Sequence, residues 1–278
     1  MKQTITILLF CLVSTAAIAQ SQEGLMVSYK AHTPNMRNGV DDLTNSFVLL
    51  ANARESKFFS PMTEYLDSLN STPEGRAKYQ EMTRSAYLGG KLDDMPRRDG
   101  TYYVVKSRDA GCVAYYDNAG LEKYCYEETL PELDWQIGDS TKTVLGYECI
   151  QATAMFHGRR WTAWFTQEIP LNAGPWKLDG LPGLILEAAC DGGQYRFEAD
   201  GIQQTDREIG PVYLADEYEK TERIKFLKSK RSFLDNPLGK INAQVAGDMV
   251  VVKNEDGSDA AGRLFAPRET VDLNETDY

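Results

Sequence analysis

The sequence predicts a mainly β (α+β) fold: a curved antiparallel sheet or half-open barrel with two or three flanking helices. Two observations carry this. From Thr101 to about Ile209, short β-branched and aromatic segments follow one another between turn residues, with no βαβ alternation. Helical signals are confined to residues 61–88 and 216–234. A composition of 42% hydrophobic and 26% charged residues suits a folded globular chain.

In order, Lys2, the apolar run Ile5 to Val13 and the small residues Ala17-Ile18-Ala19 read as a cleavable signal peptide over residues 1–19. Phe10 before Cys11 is too large for the lipoprotein pattern. Cleavage after Ala19 would leave 259 residues (278 − 19), secreted or periplasmic, with no later transmembrane segment. They are expected to form a single β-rich domain over 20–253 and an acidic, partly disordered tail over 254–278, with a short strand around Arg263 to Ala266. Leu25 to Ala31 and Asn45 to Ser60 have strand character. Ser60-Pro61 and Thr72-Pro73 are helix starts, followed by the stripes Met62, Tyr65, Leu66, Leu69 and Tyr79, Met82, Ala86; Gly89-Gly90 stops the second.

Strands follow at Tyr102 to Lys106, Cys112 to Tyr116, Leu121 to Tyr126, Thr143 to Phe156, Arg159 to Gln167, Leu184 to Cys190 and Gln194 to Ile202. A last helix is expected from Asp216 to Leu234, with its acids first and its bases last as the helix dipole favours, and with Pro237 ending it.

Function classes narrow by exclusion. With 30 Lys and Arg against 41 Asp and Glu, the net charge of −11 repels nucleic acid and anionic lipid. The two histidines, His32 and His157, have no metal-ligand spacing, so neither a metal nor a cofactor is expected, and His157 reads as an exposed turn residue. No P-loop, G-x-G-x-x-G or G-x-S-x-G occurs.

The informative stretch is 146–187. It contains Gly158-Arg159, Trp161-Thr162-Ala163-Trp164-Phe165-Thr166, Ile169-Pro170, Gly174-Pro175 and the string Gly180-Leu181-Pro182-Gly183-Leu184-Ile185. In this combination the chain resembles the GLPGLI family of exported Bacteroidetes proteins. The resemblance implies a secreted or envelope protein and no established reaction. Similar domains precede a peptide-N-glycosidase-type catalytic region in some proteins, which implies an accessory β-rich domain, here without room for that region. Physically, Leu181-Pro182-Gly183-Leu184 suits a type II turn leading into a buried strand, and Glu168 to Gly180 reads as a shaped loop between strands.

A two-residue His157-Gly158 loop would pair Phe156 with Arg159, Ala154 with Trp161, Ala152 with Ala163 and Ile150 with Phe165 on an apolar face. The other face would gather Trp164, Gln151, Thr153, Thr162 and Arg160, an aromatic surface among hydrogen-bonding groups suited to a sugar or other polar ligand, unless a helix covers it. Four cysteines outside the signal predict two disulfides. A four-residue loop at Asp117 to Gly120 places Cys112 opposite Cys125, leaving Cys149 for Cys190.

With no converging catalytic set, the expectation is a non-catalytic envelope protein binding a glycan, small ligand or partner protein. The alternatives are a hydrolase built on two of Glu168, Asp179 and Glu187 converging in one cleft, or a carrier holding a lipid-like molecule in a large apolar cavity.

Overall fold

The computed structural model describes residues 24–34, 42–91, 94–244 and 275–278, so the signal segment and the Arg263–Ala266 strand lie outside the described residues. Twelve strands form one open, mainly antiparallel sheet: β1 (Gly24–Pro34), β2 (Asp42–Ala51), β3 (Glu55–Phe59), β4 (Tyr103–Ser107), β5 (Cys112–Ala119), β6 (Glu122–Thr129), β7 (Gln136–Val144), β8 (Tyr147–Phe156), β9 (Arg159–Thr166), β10 (Leu184–Cys190), β11 (Arg196–Thr205) and β12 (Glu219–Lys220). Their order is β12-β6-β5-β4-β3-β2-β1-β11-β10-β9-β8-β7, and only β12 runs parallel to its neighbour. The helices are α1 (Pro61–Asn70), α2 (Pro73–Leu88), α3 (Arg223–Asp235) and α4 (Pro237–Gln244). Among the described residues no helix is long and apolar enough to cross a membrane.

Period-2 alternation gives the sheet two faces. One carries the main core, including Tyr29, Phe47, Phe58, Tyr115, Trp161 and Phe197, with α3 adding Phe226, Leu227 and Leu234. The other carries a smaller core of Val48, Leu50, Phe59, Tyr103 and Val212. The Phe47 and Phe58 rings stack at 4.8 Å across β2 and β3.

Several expectations are corrected. Asn45–Ser60 is two strands, because Asn52 Oδ1 accepts from the backbone N–H groups of Arg54 and Glu55 and turns the chain. Ahead of β8 lies a further hairpin, turned at Leu145-Gly146 with φ of 51° and 87°. Its partner β7 is a mostly exposed edge strand whose Gly138-Asp139-Ser140 interrupts the apolar alternation that marks the other strands. Ser60 and Thr72 do cap α1 and α2, accepting from Thr63 and Gly75 N–H. The buried face of α1, however, is Thr63, Glu64, Leu66 and Asp67, while Met62 and Tyr65 are exposed. The last helix begins at Arg223 rather than Asp216; the acids Glu217 and Glu219 precede it, and Pro237 opens α4 as well as closing α3.

The β5–β6 hairpin is shifted by four residues. Ala119 pairs with Glu122 around Gly120-Leu121, so Cys112 faces Thr129 and Cys125 faces Tyr116. Asp117 is pulled into the strand by Thr101 Oγ1 at 2.6 Å and Lys230 Nζ at 2.8 Å, which a loop residue would not support. Cys112 and Cys125 are therefore about 13 Å apart along the ladder at roughly 3.3 Å per residue, too far to bridge. Cys190 pairs with Trp161, which faces Ala154, five residues from Cys149 and two strands away from it. Neither Cys112–Cys125 nor Cys149–Cys190 forms; all four are free thiols, and burial pushes those of Cys112, Cys125 and Cys149 up.

Candidate functional site

The segment between β9 and β10 folds back onto one face of the sheet and joins the main core. Trp176, Leu178 and Leu181 are fully buried in the main core, and Trp176 packs against Trp161 at 5.4 Å. The Gly180–Ile185 string does not make a type II turn. Gly183 N–H donates to Leu181 O at 2.8 Å around Pro182, and a Cβ on Gly183 would collide with Thr166 O of β9. Glycine is needed there for close approach of two backbones. Gly180, at φ 89°, and Gly183, at φ 155°, both hold positive φ values that side chains rarely adopt.

Two buried lysines anchor this plug. Lys106 Nζ donates to Leu178 O at 2.7 Å and to Asp179 Oδ2 at 3.2 Å, and burial lowers its proton affinity although Asp179 opposes this. Arg108 also reaches Asp179, at 3.2 Å. Lys177 Nζ lies 2.9 Å from both Tyr126 Oη and Glu128 Oε2, and 2.8 Å from Glu275 Oε1.

The three carboxylates considered for hydrolysis each have a partner of their own. Asp179 is buried in the plug against Lys106 and Arg108. Glu187, opposite Trp164, pairs with Lys142, while Glu168 caps Glu148 N–H at 2.9 Å. His157, at φ 49° in its two-residue turn, is not an open tip. Its Nδ1 lies 3.1 Å from Asp277 Oδ2 and its Nε2 3.8 Å from Glu275 Oε2. These three residues bring ligand atoms within 4.8 Å of one another, but Arg223 and Lys177 already bond the same carboxylates, and their charges oppose a metal cation. His32, on β1, lies 3.1 Å from Glu198 and 3.0 Å from Thr44 Oγ1.

The β8–β9 hairpin has the register read from its sequence, from Phe156↔Arg159 to Ile150↔Phe165. Trp164, Gln151, Thr153 and Thr162 accordingly share one half-buried face with the exposed Arg160. The covering comes from a side chain rather than a helix, since Lys142 Nζ sits 4.5 Å above the Trp164 ring. Thr153 and Arg160 also line a 220 Å³ hollow with Asp134 and Gln136.

A larger cleft lies where the sequence offers no motif, between α1–α2, the β5–β6 hairpin and the 214–218 turn. It has a volume of about 480 Å³, with Asp67 and Thr63 at its base, Tyr79 and Tyr218 among its lining rings, and Arg76, Arg98 and Lys123 as its cations. Asp67 accepts from Tyr103 Oη at 2.6 Å and from Arg98 Nη2 at 2.5 Å. Burial lowers the proton affinity of Arg98, but the hydrogen bond to Asp67 more than restores it. Burial and the nearby Asp67 and Asp117 push the Tyr218 phenol up, so it remains a hydrogen-bond donor at neutral pH. Leu214 on the lining holds φ at 57°, a backbone strain of the kind that gathers at binding sites. The visible signal was the buried side of α1: Thr63 and Asp67 fall four apart on one face, between apolar positions that claimed attention first.

The model of a family described as "Protein of unknown function (Porph_ging)" matches residues 156–187, from the β8–β9 turn through the plug to β10. No curated protein sequence matches the chain. Among solved structures, "Structure of PNGF-II in C2 space group" aligns with a TM-score of 0.50 and 12% identity over 75% of this chain and 32% of that one. "Structure of PNGF-II in P21 space group" gives 0.49 and 12% over 74% and 33%. This chain thus spans about a third of the PNGF-II chain, and at such identity the C2 likeness is one of fold alone.

Proposed function

We propose that this chain is an exported cell-envelope protein of the GLPGLI type that binds a small polar ligand, a glycan being the class its cleft suits best. Export and the secreted or periplasmic location rest on the Lys2 to Ala19 pattern, and the family reading on the Gly158–Ile185 residues. The observation that carries the binding reading is the cleft at Asp67. Its volume of about 480 Å³ falls within the range of small-molecule sites. Tyr79 and Tyr218 offer apolar ring surface beside hydroxyls, while Asn70, Asn118, Arg76 and Arg98 offer amide and guanidinium groups. A sugar presents the matching mixture, with apolar C–H faces and hydroxyls at its edges.

The test is calorimetric titration of the purified chain with a panel of mono- and disaccharides. Binding should appear and weaken at least tenfold in both Tyr218→Ala and Arg76→Ala, with the unfolding temperature little changed, since Arg76 is exposed and holds no buried carboxylate. Binding that survives both substitutions and disappears in Trp164→Ala would move the site to the β8–β9 face; no binding to any sugar would overturn the glycan reading.

A further inference from the structure

The segment Glu275-Thr276-Asp277-Tyr278 is held like a bound peptide. Glu275 Oε1 meets Lys177 Nζ at 2.8 Å, and its Oε2 meets Arg223 Nη1 at 2.8 Å and His157 Nε2 at 3.8 Å. Asp277 Oδ1 accepts from Arg223 Nη1 at 2.7 Å, while its Oδ2 meets Arg223 Nη2 at 3.2 Å and His157 Nδ1 at 3.1 Å. Between them Thr276 N–H donates to His157 O at 3.0 Å, and its side chain packs against Gly158. The recognising groups come from the β8–β9 turn, the plug and α3, and they were in place before residue 275 in sequence; 31 positions separate it from Gln244 (275 − 244).

The site is built for two carboxylates. Lys177 is 1% exposed and Arg223 has only 14% of its side chain exposed, so both cations are largely withdrawn from water. Glu128 pairs with both, at 2.9 and 3.1 Å, leaving one positive charge in excess that the buried Glu275 neutralises, while Asp277, 38% exposed, adds its bonds to Arg223 and His157 with its charge still hydrated. A buried excess of positive charge is costly, so an anionic occupant is favoured whichever chain supplies it. Burial works against the Arg223 charge, but the hydrogen bonds it donates to Asp277 and Glu275 raise its proton affinity well above the ordinary value.

We propose that Lys177, Arg223 and His157 form a binding site for an acidic peptide with carboxylates two residues apart, filled in cis by Glu275–Tyr278 and open to competition from a Glu-x-Asp segment of another chain. It is a separate site from the Asp67 cleft and stands independently of the glycan reading.

The test uses the fluorescein-labelled peptide Asn-Glu-Thr-Asp-Tyr, read by anisotropy at low salt. Its targets are the intact chain, a chain ending at residue 274, and the full-length Glu275→Gln, Asp277→Asn variant. Both altered chains should bind at least tenfold more tightly than the intact chain. The Gln/Asn form of the peptide should bind at least tenfold more weakly, and adding Arg223→Gln should abolish binding. Equal binding by intact and altered chains would overturn the proposal, as would a folded altered chain that ignores the peptide. Loss of cooperative unfolding in both altered chains would also overturn it, since the segment would then be part of the core rather than a replaceable occupant.

Discussion

Two of the sheet's lysine–carboxylate pairs, alike in chemistry, sit in different surroundings. Lys106 and Asp179 meet in the plug with side chains 1% and 5% exposed, whereas Lys142 and Glu187 meet beside Trp164 at 35% and 28%. In the plug both ions have lost their water, and Lys106 also satisfies the carbonyls of Gly174 and Leu178, so removing either partner strands a buried charge. On the Trp164 face water screens both ions, and the pair adds little to stability. The difference teaches that position, not residue type, separates a structural anchor from an adjustable surface. It also explains why acids of similar appearance in the sequence do not share a role.

The largest expected effect is Asp179→Ala, which leaves Lys106 buried without its carboxylate and should cost about 3–5 kcal/mol in denaturant unfolding. A loss under about 1 kcal/mol would break the comparison. Next comes Gly183→Ala, which drives a methyl group into the β9 backbone at Thr166 and should cost about 1–3 kcal/mol. An unchanged midpoint would show that the plug tolerates a shift at its neck. The smallest is Lys142→Met, which removes the Glu187 pair and the contact over Trp164 for no more than about 1 kcal/mol. Because the pair is water-screened, most of that difference should fade in 1 M salt; a larger, salt-insensitive loss would mark this face as core.

How much was legible in advance depends on the range of the interaction. The β8–β9 register followed from a two-residue turn and an alternating pattern on both strands, where a slip of one residue would expose Trp161, Ala163 and Phe165. The β5–β6 hairpin has the same kind of pattern, yet its register is set by Lys230, which reaches Asp117 from 113 positions away. The α1 stripe failed for a related reason. Lys57, Arg98 and Tyr103 present polar groups that Glu64 and Asp67 can meet only by turning inward, which leaves Met62 and Tyr65 outside.

By itself the sequence determined the sheet-dominated class, the starts of α1 and α2 at Ser60 and Thr72, and the β8–β9 face with Trp164 beside Gln151 and Thr162. Each depends on residues within a few positions of one another, where turn chemistry, capping and periodicity act directly. Only the tertiary structure decided that the β9–β10 segment fills the main core, that the four cysteines stay apart, and that a polar cleft of about 480 Å³ forms around Asp67. Those outcomes rest on buried charges finding partners dozens of residues away, such as Lys106 with Asp179 and Lys177 with Glu275. The cost of leaving such charges unpaired is set by the whole fold and by no local pattern.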